Sequence, residues 1–198
     1  FRNCTSMTYD IYWNIPKLHS NNVNENTNFY FYNISQKKYV VKTNDELKFI
    51  VNMWKSNQQN TINIYGNISS LDTSFVTDTS NLLNTNKEET IFFNHDISNW
   101  DVSKVTKMNN MFYNCRLFNQ DLSKFDVSKV TDMSGMFYGC SSFNGNIATW
   151  NVSKVTNMNF MFYECSEFVI NLGKWQLNPD LCGNTYNMFV HCTAMENL

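Results

Sequence analysis

Three consecutive stretches, DISNWDVSKVTKMNNMFYNCRLFNQ from Asp96, DLSKFDVSKVTDMSGMFYGCSSFNG from Asp121 and NIATWNVSKVTNMNFMFYECSEFVI from Asn146, align without a gap at a spacing of 25 residues. A fixed period of this length marks a repeat architecture, in which one unit cannot hide its apolar side chains and stacking like on like makes a continuous core. A fourth unit from Asn171 keeps Leu172, Trp175, Met188, Phe189 and Cys192, with two extra residues around Pro179–Gly183. Upstream, Asp72–Thr77 copies Asp101–Thr106, and Leu82 and Leu83 stand where the Met-Phe pair belongs, with an insertion near Asn84–Thr90.

Within a unit, Val130, Met133, Met136, Phe137 and Cys140 fall at helical or 3₁₀ spacing, while Phe143 and Ile147 bracket polar residues as in a short strand. The expected fold class is therefore an α/β repeat, a leucine-rich-repeat-like solenoid with one short strand and one short helical turn per unit. Strand pairing then sets a rise of about 4.8 Å per unit. Ser103, Ser128 and Ser153, with Thr106, Thr131 and Thr156 three residues on, are read as acceptors for free N–H groups where each helical turn starts.

Outward from the array, Thr43 with Glu46 forms a capping-box pattern, and Leu47, Ile50, Val51 and Trp54 recur at i, i+3, i+4 and i+7. This predicts an amphipathic helix that covers the first end of the solenoid. Phe29–Val41 reads as a small β-hairpin around Ser35–Lys38. The chain thus divides into a partial repeat at 1–14, an Asn-rich linker at 15–28, hairpin and capping helix at 29–60, and the solenoid at 61–198.

The two ends of the sequence match. Phe1-Arg2-Asn3-Cys4-Thr5-Ser6-Met7 mirrors Phe189-Val190-His191-Cys192-Thr193-Ala194-Met195, 188 residues later. The expectation is one period of a longer tandem protein, or a subunit whose ends join head to tail.

Composition narrows the function. A formal net charge of −2 offers no cationic field for phosphate backbones, which sets nucleic acid aside. No run approaches the roughly 18 apolar residues of a membrane span. About one residue in six is Asn and 16% are aromatic, which suits polar turns around a packed interior.

Now the ladders. Cys115, Cys140, Cys165 and Cys192, with Cys4 in the partial repeat, occupy one position, and their 25-residue spacing lacks the clustering of a metal site. A structural ladder of free thiols is read there, with Cys182 outside it and in reach of a disulfide to Cys192 or Cys165. Tyr113, Tyr138 and Tyr163 follow the core Phe of each unit and read either as core or as an aromatic strip for protein or sugar. Lys104, Lys129 and Lys154 read either as a site for an anionic ligand such as a sulfated glycan or as a solvated face offset by Asp101 and Asp126. These tyrosines and lysines form the candidate binding face, and Trp100, Phe125, Trp150 and Trp175 a structural ladder. Asn3, Asn33, Asn67 and Asn151 head N-glycosylation triplets. His19, His95 and His191 are scattered, with no acid or nucleophile at working distance in sequence. No catalytic, cofactor or metal site is expected; an enzyme would have to recruit Glu88 or Asp180 from the insertions.

With these residues in view, the frame W/F-[DN]-V-S-K-V-T-x-M-x-x-M-F-Y-x-C-x-x-F-N resembles the BspA-like leucine-rich-repeat family, in its mycoplasma-lipoprotein type. The resemblance covers residues 67–198 and 1–14. It implies an extracellular or cell-surface setting and adhesion to host or cell-surface proteins or glycans. The function expected is a non-catalytic binding and spacer array in a long surface protein, with other copies of itself as partners in tandem; the alternative is a filament subunit assembling head to tail.

Overall fold

The computed structural model describes residues 38–84 and 92–197. The predicted partial repeat at 1–14, the linker at 15–28 and residues 29–37 of the predicted hairpin, with Asn3, Cys4, His19 and Asn33, lie outside the described residues, as does Glu88. Helix α1 spans Asn44–Ser56 and α2 spans Gln58–Tyr65. Thr43 Oγ1 accepts from the Glu46 N–H at 3.1 Å, and Glu46 answers by accepting from the Lys42 N–H at 2.7 Å and the Tyr39 hydroxyl at 2.7 Å. Asp45 and Glu46 in the first turn and Lys55 in the last oppose the helix dipole. Leu47, Ile50, Val51 and Trp54 are buried, so α1 turns this face to the core. Asn57 ends α1 and caps α2 through its side chain, which accepts from the Asn60 N–H at 2.9 Å.

After α2 the chain enters a stack of turns, and here the expected fold class fails. Among the described residues there are two α-helices, three short 3₁₀ turns and no β-strand. The parallel contacts are single-residue bridges, Val40 with Asp72 and then Asp78, Lys107, Asp132 and Asn157 in succession. The chain is therefore not an α/β solenoid with one strand and one helical turn per repeat.

The backbone explains why. The N–H groups of Met108, Asn110, Phe112 and Asn114 donate along the stack to Asp132, Ser134, Met136 and Tyr138 at 2.7–2.9 Å. Between them, Met111, Tyr113 and Cys115 donate back three residues, to Met108, Asn110 and Phe112. Every second N–H thus leaves the turn while its neighbour closes a tight one, a pattern that neither a helix nor a strand allows. The alternation needs left-handed residues, and Asn110 and Asn114 sit at φ 54° and 61°, Gly135 and Gly139 at 59° and 69°. A train of three-residue turns repeats its side chains at nearly the period of a 3₁₀ helix, which is how the sequence suggests one.

The turns are started by acids and amides rather than by Ser and Thr. Asp101, Asp126 and Asn151 accept, through Oδ1, the backbone N–H of Ser103, Ser128 and Ser153 at 3.0–3.1 Å. The threonines run between turns instead: Thr106, Thr131 and Thr156 donate their hydroxyls to the carbonyls of Thr77, Thr106 and Thr131. A further ladder links Phe-Asn pairs, since Asn94, Asn119 and Asn144 each accept from the backbone N–H one turn on, at 2.8–3.1 Å. Among the described residues, these ladders give Asn a recurring local role.

Inside, Met133, Met136, Phe137, Cys140 and Phe143 and their counterparts in the neighbouring turns are fully buried. Each large apolar side chain so placed contributes about 1.5–3 kcal/mol relative to exposure. The indoles of Trp100, Trp150 and Trp175 donate to Ile68, Leu122 and Ile147 carbonyls one turn back at 2.8–3.0 Å. Phe125 holds the same place without that donor.

Candidate functional site

Each tyrosine of the strip follows a buried phenylalanine, and the tight turn between them brings its ring to the half-exposed side of the stack. Tyr113 and Tyr138 stack at 4.6 Å and 11°, and Tyr138 and Tyr163 at 4.7 Å and 12°. Because the rings cover one another's faces, a sugar ring has no free platform on Tyr138. What the strip offers is a row of ring edges and hydroxyls at the spacing of the turns. Tyr138 feels its neighbours: burial first, then the Tyr113, Glu164 and Tyr163 charges, raise its phenol above the ordinary value.

Toward the last turn the row gains members that were not foreseen. Phe160 meets Tyr163 at 6.0 Å and Tyr186 edge-on at 5.4 Å, and His191 lies edge-on to Tyr163 at 5.5 Å. Phe160 holds φ 58°, where Asn110, Gly135 and Asn187 stand in the other turns. A bulky side chain in the left-handed region costs of order 1–3 kcal/mol and persists where its surroundings fix it. Beside the strip runs a shallow groove of about 390 Å³, lined by Arg116, Gly139, Ser141, Glu164, Ser166 and His191. Its lining holds one cation, Arg116, and one anion, Glu164.

The lysines are not drawn to this face by any contact. Lys104, Lys129 and Lys154 are exposed. The Lys104 ammonium lies 5.0 Å from the Phe75 ring and within the field of Asp101 and Asp72. Asp101 and Asp126 stay below the usual carboxylate range chiefly because Ser103 and Ser128 donate to them, with the lysines adding less.

The chain matches along most of its length, over residues 25–126, 48–175 and 87–198, the sequence profile of a family described as Mycoplasma protein of unknown function, DUF285. It belongs to that family. The overlap of the three matches is what a stack of similar turns produces. No curated protein and no solved structure matches the chain.

Among the described residues the cysteines of the ladder are inward. Cys115, Cys140, Cys165 and Cys192 are buried free thiols. The last three donate to the Phe112, Phe137 and Phe162 carbonyls at 2.9–3.0 Å. Burial pushes the Cys115 thiol up to about 12 and Cys192 up to about 11, so both stay protonated near neutrality. Cys182 is an exposed free thiol. Among the described residues no cluster of three or more His, Cys, Asp or Glu is arranged for a metal ion. No helix among them is long and apolar enough to cross a membrane.

Of the glycosylation triplets, Asn67 and Asn151 are exposed, and each accepts through Oδ1 from both the N–H and the hydroxyl of its own Ser, Ser69 and Ser153. His95 sits edge-on to Trp54 at 5.2 Å and Phe93 at 5.3 Å, where burial lowers its basicity. Phe160 and Tyr186 were missed because their frame positions are Asn, Ser or Gly in the other regular units; an aromatic breaking that rule was the available signal.

Proposed function

We propose that the chain is a non-catalytic binding segment of an extracellular surface protein, with the strip Tyr113, Tyr138, Tyr163 and its extension Phe160, Tyr186 and His191 as the contact face. The observation that carries this is Phe160. A phenylalanine held at φ 58° costs stability at a site where Asn or Gly serves elsewhere, and its ring joins the half-exposed aromatic row described above. The looser kinship with BspA-like repeat proteins supports a cell-surface, adhesive setting, and several copies in one protein would add avidity.

The presented groups are hydroxyls and ring edges, so the partner is a protein or glycan surface rich in hydrogen-bond acceptors rather than a sugar face that needs a platform. Surface display of the chain on non-adherent cells tests this. Adhesion to host cells is expected to fall at least tenfold in a Tyr138→Ala/Tyr163→Ala double variant of unchanged melting temperature, and undiminished adhesion would sink the reading.

A head-to-tail filament is the second reading. Leu177, Tyr186, Phe189 and Met195, all in the last turn, are exposed apolar or aromatic residues, and they favour a contact at that end. The cover that α1 places on the first turns weighs against it.

A further inference from the structure

The groove beside the tyrosine row is built from two ladders that flank the buried cysteines. Residues just after each cysteine form the first: Ser141 Oγ donates to the Arg116 carbonyl at 3.3 Å, and Ser166 Oγ to the Ser141 carbonyl at 3.1 Å. Both hydroxyl protons are thereby committed to the backbone, so what these serines can offer a ligand is acceptor lone pairs. Residues just before each cysteine form the second, because the Asn114, Gly139 and Glu164 N–H groups each donate to the turn that follows.

All members of the second ladder are left-handed, Asn114 at φ 61°, Gly139 at 69°, Glu164 at 60° and His191 at 62°. Asn and Gly take that conformation readily, whereas a longer side chain such as Glu is held there at a cost. Phe160, which also departs from Asn or Gly at a left-handed place, lies in the same turn, so both departures fall beside Tyr163. Glu164 is exposed. Its charge is felt one turn back at Tyr138, after burial and Tyr113 among the causes that raise that phenol. The carboxylate therefore lies toward the groove and the row.

We infer that this groove takes an arginine side chain of a protein partner, with the Glu164 carboxylate and the Ser141 and Ser166 hydroxyl oxygens as its acceptors. A guanidinium carries five N–H donors in a planar fork, which suits a carboxylate beside hydroxyls one turn apart. An acidic glycan would meet the Glu164 charge and the serine lone pairs with no donors of its own for the carboxylate beyond hydroxyls. Arg116, in the same lining, stands two turns from Glu164, roughly 10 Å along the stack. It repels a ligand that is cationic along its whole length, such as a polyamine, but a single charge at Glu164 sits about a Debye length away. The hydroxyl donors of the tyrosine row then face the carbonyl groups around that arginine. This names the partner class for the binding reading above and rests on it for its role.

Titration of the full chain with the tripeptide acetyl-Gly-Arg-Gly-amide, followed through the backbone amide shifts of Ser141, Glu164 and Ser166, tests this. The expected result is saturable binding, weakened about tenfold by Glu164→Gln or when citrulline replaces the arginine. Binding should be unchanged in Glu167→Gln, which removes the same charge from an exposed residue outside the groove lining. No saturable binding, equal binding by Glu164→Gln and the parent, or tighter binding of acetyl-Gly-Glu-Gly-amide would each overturn the inference. Any of these with adhesion still lost in the tyrosine variants sinks the inference alone. Arginine binding through Glu164 with adhesion undiminished in the tyrosine variants sinks the binding reading alone.

Discussion

The Phe112 and Phe137 rings lie parallel to within 1°, with centroids 5.4 Å apart. The same contact recurs between Phe137 and Phe162 and between Phe162 and Phe189, so one column of rings runs through the last four turns. Its first three members are tied to the cysteine ladder, because the Cys140, Cys165 and Cys192 thiols donate to the Phe112, Phe137 and Phe162 carbonyls one turn back.

Phe137→Ala removes a fully buried ring from the middle of that column and should cost about 3–5 kcal/mol, read by urea unfolding. Phe189→Ala, at the half-open end, should cost less than half as much. Equal costs would contradict the picture of an interior column with one open end.

Gly145 packs against the previous turn so closely that an added Cβ would lie 2.1 Å from the Gln120 carbonyl oxygen. That neighbour is backbone and cannot swing aside. Gly145→Ala should therefore destabilise by about 1–3 kcal/mol through forced separation of two turns. A melting temperature equal to the parent's would show that the turns are not stacked at this distance.

Phe160→Asn places at φ 58° the residue type found at the equivalent Asn110 and Asn187. Stability should rise by about 1 kcal/mol as left-handed strain is relieved, while adhesion through the strip weakens. A variant that is both less stable and fully adhesive would remove the argument for Phe160 as a functional residue.

His95 is half-buried between the Trp54 and Phe93 rings, and its basicity is lowered by burial. The unfolded chain then binds a proton more readily than the folded one, so stability rises with pH through this range and is lost as pH falls below the ordinary imidazole value near 6.5. Thermal unfolding between pH 8 and pH 5 should show this loss in the parent and a smaller one in His95→Gln. Parallel profiles for the two would contradict it.

Much of this molecule is legible in the sequence, and the illegible part has a definite cause. The 25-residue frame identifies the core ladder of Met133, Met136, Phe137 and Cys140, and the Thr43 cap with Leu47, Ile50, Val51 and Trp54 announces α1. Conformation within a repeat is harder, because turns closing three residues back mimic the side-chain period of a helix. The left-handed sites do leave a trace in Asn110, Asn114, Gly135 and Gly139, but Phe160 and Glu164 hide it one turn later. Asp or Asn two residues before Ser marked the true turn acceptors, as at Asp101 and Asn151. For the candidate site, the tyrosine row could be foreseen, but the mutual covering of its rings follows from the 4.6–4.7 Å stacking, which only the fold supplies.

The proposed binding role rests on the row of tyrosine hydroxyls and edges meeting a partner. The most direct test is adhesion of the full chain with Tyr113, Tyr138 and Tyr163 all changed to Phe, which keeps the ring column and removes only the hydroxyls. Adhesion reduced at least tenfold at unchanged melting temperature is expected; adhesion equal to the parent's would rule out the hydroxyls as the contact.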